Sequence, residues 1–133
     1  MMDLIKNLYN NYSLLFITTT LLLSCNTTER DCSLYKSGSF ITQSIVNDST
    51  YTSIFTRNDT IQIENFNGKI DTSACRWIND CEFVLRTLNP KSGVQKKNIH
   101  IKILSTTDST YTYEYSFVGE NRKETGLAIK IND

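Results

Sequence analysis

The one stretch whose chemistry is spelled out in the sequence is Leu22-Leu23-Ser24-Cys25. A small residue before a cysteine, at the end of an apolar run, is the form of a bacterial lipobox. A signal peptidase cuts before the cysteine, and the thiol carries a diacylglycerol. Upstream stand Lys6, a polar run through Tyr12, and an apolar run from Leu14 to Leu23 broken by Thr18, Thr19 and Thr20. A charged segment followed by a short apolar core and a cleavage site reads as a signal peptide. At about ten residues that core is too short for a bilayer, which needs roughly twenty. Residues 1–24 are therefore expected to be a signal peptide, Cys25 the lipidation site, and residues 25–37 the lipidated cysteine and its tether. Asn26, rather than Asp, follows Cys25, which favours the outer membrane as the destination of this cell-envelope protein.

The other chemistry-bearing residues are sparse. His100 is the single histidine and alternates with isoleucines, on the polar side of its segment. Without a second histidine or a matched nucleophile, neither a triad nor a metal hydrolase can be assembled. Asp80 and Glu82 are close in sequence but flank a turn, where acids are ordinary. No catalytic residue, metal ligand or cofactor is assigned, and the chain is read as non-enzymatic. Arg57 and Arg76, near Trp77, have the chemistry to receive an anionic head group or stack on an aromatic ring, but they are read as surface arginines on strand ends.

The chain has 14 Lys or Arg against 14 Asp or Glu. Nucleic-acid binding draws most of its affinity from neutralising phosphates, so this balance argues against a nucleic-acid partner. Once Cys25 is lipidated, Cys32, Cys75 and Cys81 remain, and an exported chain meets an oxidising compartment. Pairing Cys32 with Cys81 closes a loop of about 50 residues for roughly 4 kcal/mol, against roughly 2.4 for Cys75 with Cys81. The first is preferred, because it also pins the N-terminal arm.

These residues must be positioned by strands. From Gly38 the apolar period is two. A first strand runs from Gly38 to Val46 and ends at Asn47-Asp48-Ser49. Tyr51, Ser53 and Phe55 alternate with Thr52, Ile54 and Thr56 in a second. In the third, Ile61 and Ile63 face one side, with Gln62 and Glu64 on the other. Asn67-Gly68 is the strongest hairpin signal. A fourth strand spans Asp71 to Ile78, and a fifth carries Phe83 and Leu85. Asn89-Pro90-Lys91-Ser92-Gly93 ends the fifth in a loop. Ile99, Ile101 and Ile103 form one inward row, and Tyr111, Tyr113, Tyr115 and Phe117 another. Leu127, Ile129 and Ile131 mark the last strand. About eight strands with short connections predict an all-β antiparallel meander over residues 38–133. It would form a small lipocalin-like barrel or a strongly curled sheet, each strand turning its apolar face inward.

The residues Cys25, Cys32, Gly38-x-Phe40, Arg57, Gln62, Trp77, Asn79-Asp80-Cys81-Glu82-Phe83-x-Leu85, Asn89-Pro90-Lys91 and Tyr115-x-Phe117-Val118-Gly119 carry a resemblance over nearly all of the mature chain. They resemble a family of small lipoproteins of Bacteroidota, especially flavobacteria. The resemblance implies anchoring and fold rather than catalysis, and it leaves Cys75 outside the shared pattern, hence unpaired. Similar sequences often carry the automatic label DNA topoisomerase IV. A lipidated domain of about 100 residues with no basic channel has no room for a DNA gate, so that label is judged a mis-transfer.

The expected function is that of a lipid-anchored envelope lipoprotein that binds a small apolar ligand or an envelope protein. Trp77, Phe83, Tyr111, Tyr113, Tyr115 and Phe117 are the residues able to line a ligand cavity, although filling of the core is the preferred reading of the aromatic row. The alternative is an inhibitor of a cell-wall or proteolytic enzyme, acting through the loop from Asn89 to Asn98.

Overall fold

Two tight turns set the register of the sheet. Asn47 and Asp48 both have positive φ, at 48° and 61°, and Asn67 and Gly68 repeat the pattern at 51° and 81°. Two consecutive positive φ values make the two-residue turn whose twist matches paired strands. In the computed structural model, which describes residues 30–131, these turns join β1 (Gly38–Val46) to β2 (Ser49–Arg57) and β3 (Ile61–Phe66) to β4 (Lys69–Asn79). The sheet continues through β5 (Glu82–Thr87), β6 (Ile99–Thr106), β7 (Thr110–Phe117) and β8 (Glu124–Ile131). Each strand pairs antiparallel with the next, and β1 pairs with β8, so the meander closes into a barrel. Every strand finds both partners within residues 38–131, which makes the folded unit self-contained. The expected signal peptide, Cys25 and the first part of the expected tether lie outside the described residues.

The expectation of an apolar inward face holds for β5, β6 and β7, where Phe83, Leu85, Ile101, Ile103, Tyr111 and Tyr113 are buried. It fails for β3 and β8. On β3 the polar side turns inward: Gln62 is 6% exposed, while Ile63 is 45% exposed. The cause is the register, which sets Gln62 opposite Arg57 and Glu64 opposite Phe55. Cross-strand partners share a face, so Gln62 must go where Arg57 goes. On β8 the small residues turn inward. Ala128 is fully buried and Ile129 is 37% exposed. Tyr113 pairs with Gly126, and a methyl group there would run into the tyrosine ring. Bulky tyrosines on β7 therefore demand small residues on β8.

Residues 30–37, expected only as part of a tether, pack against the barrel. A 3-10 turn at Ser33–Tyr35 lies across one end of the barrel, and Tyr35 is fully buried there. The Tyr35 hydroxyl donates to the Thr107 carbonyl at 2.6 Å, and Arg57 donates to the Tyr35 carbonyl at 2.6 Å. Cys32 is bonded to Cys81, and Cys75 is a free, buried thiol. Further out, Lys130 donates to the Leu34 carbonyl, Lys36 pairs with Asp80, and Arg30 donates to the Ile103 carbonyl. This end of the barrel is closed by its own N-terminal arm.

Candidate functional site

Above the arm lies a layer of packed rings. Phe40 stacks on Phe55 with centroids 4.9 Å apart, and Trp77 meets Phe83 at 4.6 Å. In their midst is Arg57, only 4% exposed, contrary to its reading as a surface residue. Its guanidinium carbon lies 4.5 Å from the centre of the Phe83 ring and 5.2 to 5.9 Å from those of Phe40, Phe55, Trp77 and Tyr111. Cation–π attraction from these ring faces offsets part of the cost of burying the charge. Arg57 also donates to the Gln62 side-chain oxygen and the Tyr111 hydroxyl, both at 3.2 Å. The other arginine, Arg76, is exposed.

From this layer to the opposite end the lumen is hollow, with a cavity of about 390 Å³. One wall is apolar and aromatic, made by Leu85, Ile99, Ile101 and the tyrosines at 111, 113 and 115. The facing wall is polar, made by Thr42, Ser44, Ser53, Gln62 and Glu64, with Arg57 at the floor. Ser53 donates to the Glu64 carboxylate, and Thr42 shares a hydrogen bond with the Tyr113 hydroxyl. Burial pushes the Tyr111 and Tyr113 hydroxyls above their ordinary pKa, opposed at Tyr111 by the charge of Arg57 and at Tyr113 by the hydrogen bond to Thr42. They remain neutral hydroxyl groups at physiological pH.

Of the six aromatics singled out in the sequence, Tyr111, Tyr113 and Tyr115 line this cavity. Phe117 lines a second hollow of about 350 Å³, which shares Val46, Ile99 and Tyr115 with the first. Trp77 and Phe83 sit elsewhere, in the layer around Arg57. The mouth is ringed by the two tight turns, the 118–123 loop and the 88–98 loop. Arg122 clasps Asn47 across it at 2.9 Å. Gln95 holds the 88–98 loop to both carboxylate oxygens of Asp71 at 3.1 Å.

His100, Glu82 and Asp80 lie outside the lumen, and Cys75 is buried in the packed core. His100 sits 3.1 Å from Glu82, and Lys102 is 3.7 Å from the same carboxylate, on the outer wall. Partial burial pushes the Glu82 carboxyl up, but the hydrogen bond from His100 and the charge of Lys102 outweigh it and hold the group below its ordinary value. Asp80 pairs instead with Lys36 at 3.1 Å, so the two acids share no site. Burial raises the Cys75 thiol, against the pull of Arg57.

Sequence reasoning passed over the polar wall and set Arg57 at the surface. The signal was present in parity: Tyr51, Ser53, Phe55 and Arg57 lie two apart, so an inward Phe55 puts Arg57 inward as well. No protein-family model matches this sequence, and comparison with curated proteins gives no match.

Proposed function

We propose that this chain is a non-enzymatic binding protein of the cell envelope, whose barrel takes a small, mostly apolar ligand through its open end. The reading is carried by the cavity of about 390 Å³ with an apolar wall of Leu85, Ile99 and Ile101. Ligand sites are typically concave, largely apolar and furnished with a few placed polar groups. The polar wall would orient what the apolar wall holds. The two charged side chains lining the cavity, Arg57 and Glu64, make no nucleophile–base pair, so binding rather than turnover is the activity proposed.

The proposal includes the membrane. A diacylglycerol and a further chain on Cys25 would hold the protein there durably, where a single acyl chain binds only marginally. Four residues lie between Cys25 and Arg30, which is bonded at the closed end, so the five steps of chain span at most about 18 Å. The closed end is then the membrane-proximal one, and the mouth opens away from the anchor.

A titration with N-phenylnaphthylamine tests the cavity. Wild-type residues 26–133 should enhance its fluorescence saturably. Tyr115→Arg, which sets a charged side chain in the half-buried upper lumen, should lower the affinity by about tenfold or more at unchanged stability. Equal binding by the two proteins would place the probe outside the barrel and reject the reading.

A further inference from the structure

Arg57 is a buried cation without a counter-ion. Among the described residues no carboxylate lies within ion-pair distance of it. Its hydrogen-bond partners, the Tyr35 carbonyl, Gln62 and the Tyr111 hydroxyl, are all neutral. Its Nε–H is buried and has no acceptor, and neither has the indole N–H of Trp77 in the same layer of rings. A charge this deeply buried is ordinarily paired. Rings and neutral acceptors lower its cost without cancelling it.

Arg57 also lines the cavity, at the floor. A guanidinium presents a planar fork that matches a carboxylate, and the match is strongest where water is excluded. We infer that the cavity takes amphipathic acids head first, the ligand's carboxylate meeting Arg57 at the floor and its apolar tail lying along Leu85, Ile99 and Ile101 toward the mouth. This rests on the binding reading above and names the ligand class for that same site.

Glu64 sets the terms of this recognition. It is the other charged residue lining the cavity, nearer the mouth than Arg57 by one step of the sheet, and it is held by Ser53. An anion must pass it to reach the floor, so Glu64 opposes the acid while Arg57 attracts it. An amine would reverse the two roles, stopping at Glu64.

Decanoate, decanol and decylamine share a tail and differ in head, so they separate the possibilities. Calorimetric titration of residues 26–133, below the micelle threshold of each probe, should show decanoate binding at least about tenfold more tightly than decanol, the ratio expected of a charge-assisted hydrogen bond. Arg57→Gln should bring the ratio of decanoate to decanol affinity down to about one. Because Arg57 lies in the core, Glu64→Gln provides a second reading that does not depend on that variant folding. It should raise the ratio of decanoate to decanol affinity severalfold above that of the wild type. Equal affinity for decanoate and decanol would overturn the inference while leaving the cavity a binding site. Preference for decylamine, lost in Glu64→Gln, would overturn it in favour of a cationic head at Glu64. If none of the three binds, the inference falls together with the binding reading.

Discussion

Tyr113 and Gly126 show how one residue pair shapes the lumen. The tyrosine ring lies where a β-carbon at 126 would stand, and its hydroxyl reaches across to Thr42. Gly126→Ala should therefore force the ring aside and cost about 1 to 3 kcal/mol, the usual penalty of overpacking. Urea denaturation would record this as a lowered midpoint at constant slope, whereas an unchanged midpoint would mean that the ring yields freely. The tyrosine row itself was legible, because Tyr111, Tyr113 and Tyr115 lie two apart in a strand-like context. That Gly126 receives the ring was not, since it follows from the pairing of Tyr113 with Gly126 across β7 and β8. Arg57 lies between these cases. Period two places it inward with Phe55, but the usual exposure of arginine argues the other way. Only the surrounding rings and carbonyl decide the contest.

At the scale of elements, the turns Asn47-Asp48 and Asn67-Gly68 were legible because their residue types tolerate positive φ. The facing of β3 and β8 was not. Hydrophobicity alone would turn Ile63 and Ile129 inward, and it is overruled by the demand of Arg57 for Gln62 and of the tyrosines for small neighbours. The N-terminal arm is a similar case. Its polar sequence reads as a tether, but Tyr35 finds its acceptor at Thr107, 72 residues away. The disulfide between Cys32 and Cys81, separated by 49 residues, holds this arm in place. Replacing both cysteines by alanine should lower stability by up to about 4 kcal/mol on the loop-entropy account. Hydrogen exchange at Tyr35 and Lys36 should rise selectively, since their amides are bonded within the released arm. Unchanged exchange there would show that Arg57, Lys130 and Tyr35 suffice to hold it.

Taken whole, the molecule is a closed eight-stranded barrel with one end sealed and the other hollow. Strand number was legible from the turns and the alternation, whereas closure stood as one of two options, a barrel or a strongly curled sheet, decided by the pairing of β1 with β8. The hollow was not, because eight strands leave a lumen that side chains can just fill, and filling depends on summed volumes. Here Phe40, Phe55, Trp77 and Phe83 fill one half. In the other, the small side chains of Thr42, Ser44 and Ser53 leave space in front of the facing isoleucines, although Thr42 meets the Tyr113 hydroxyl. A ligand seated there would add dispersion contacts along Leu85, Ile99 and Ile101. The most direct test is native mass spectrometry of residues 26–133, secreted to the periplasm of its own cells and purified without detergent. The account predicts an added mass that disappears on denaturation, leaving a chain two hydrogens lighter than the fully reduced form, as the Cys32–Cys81 bond requires. A bare chain, unaltered by added decanoate, would contradict it.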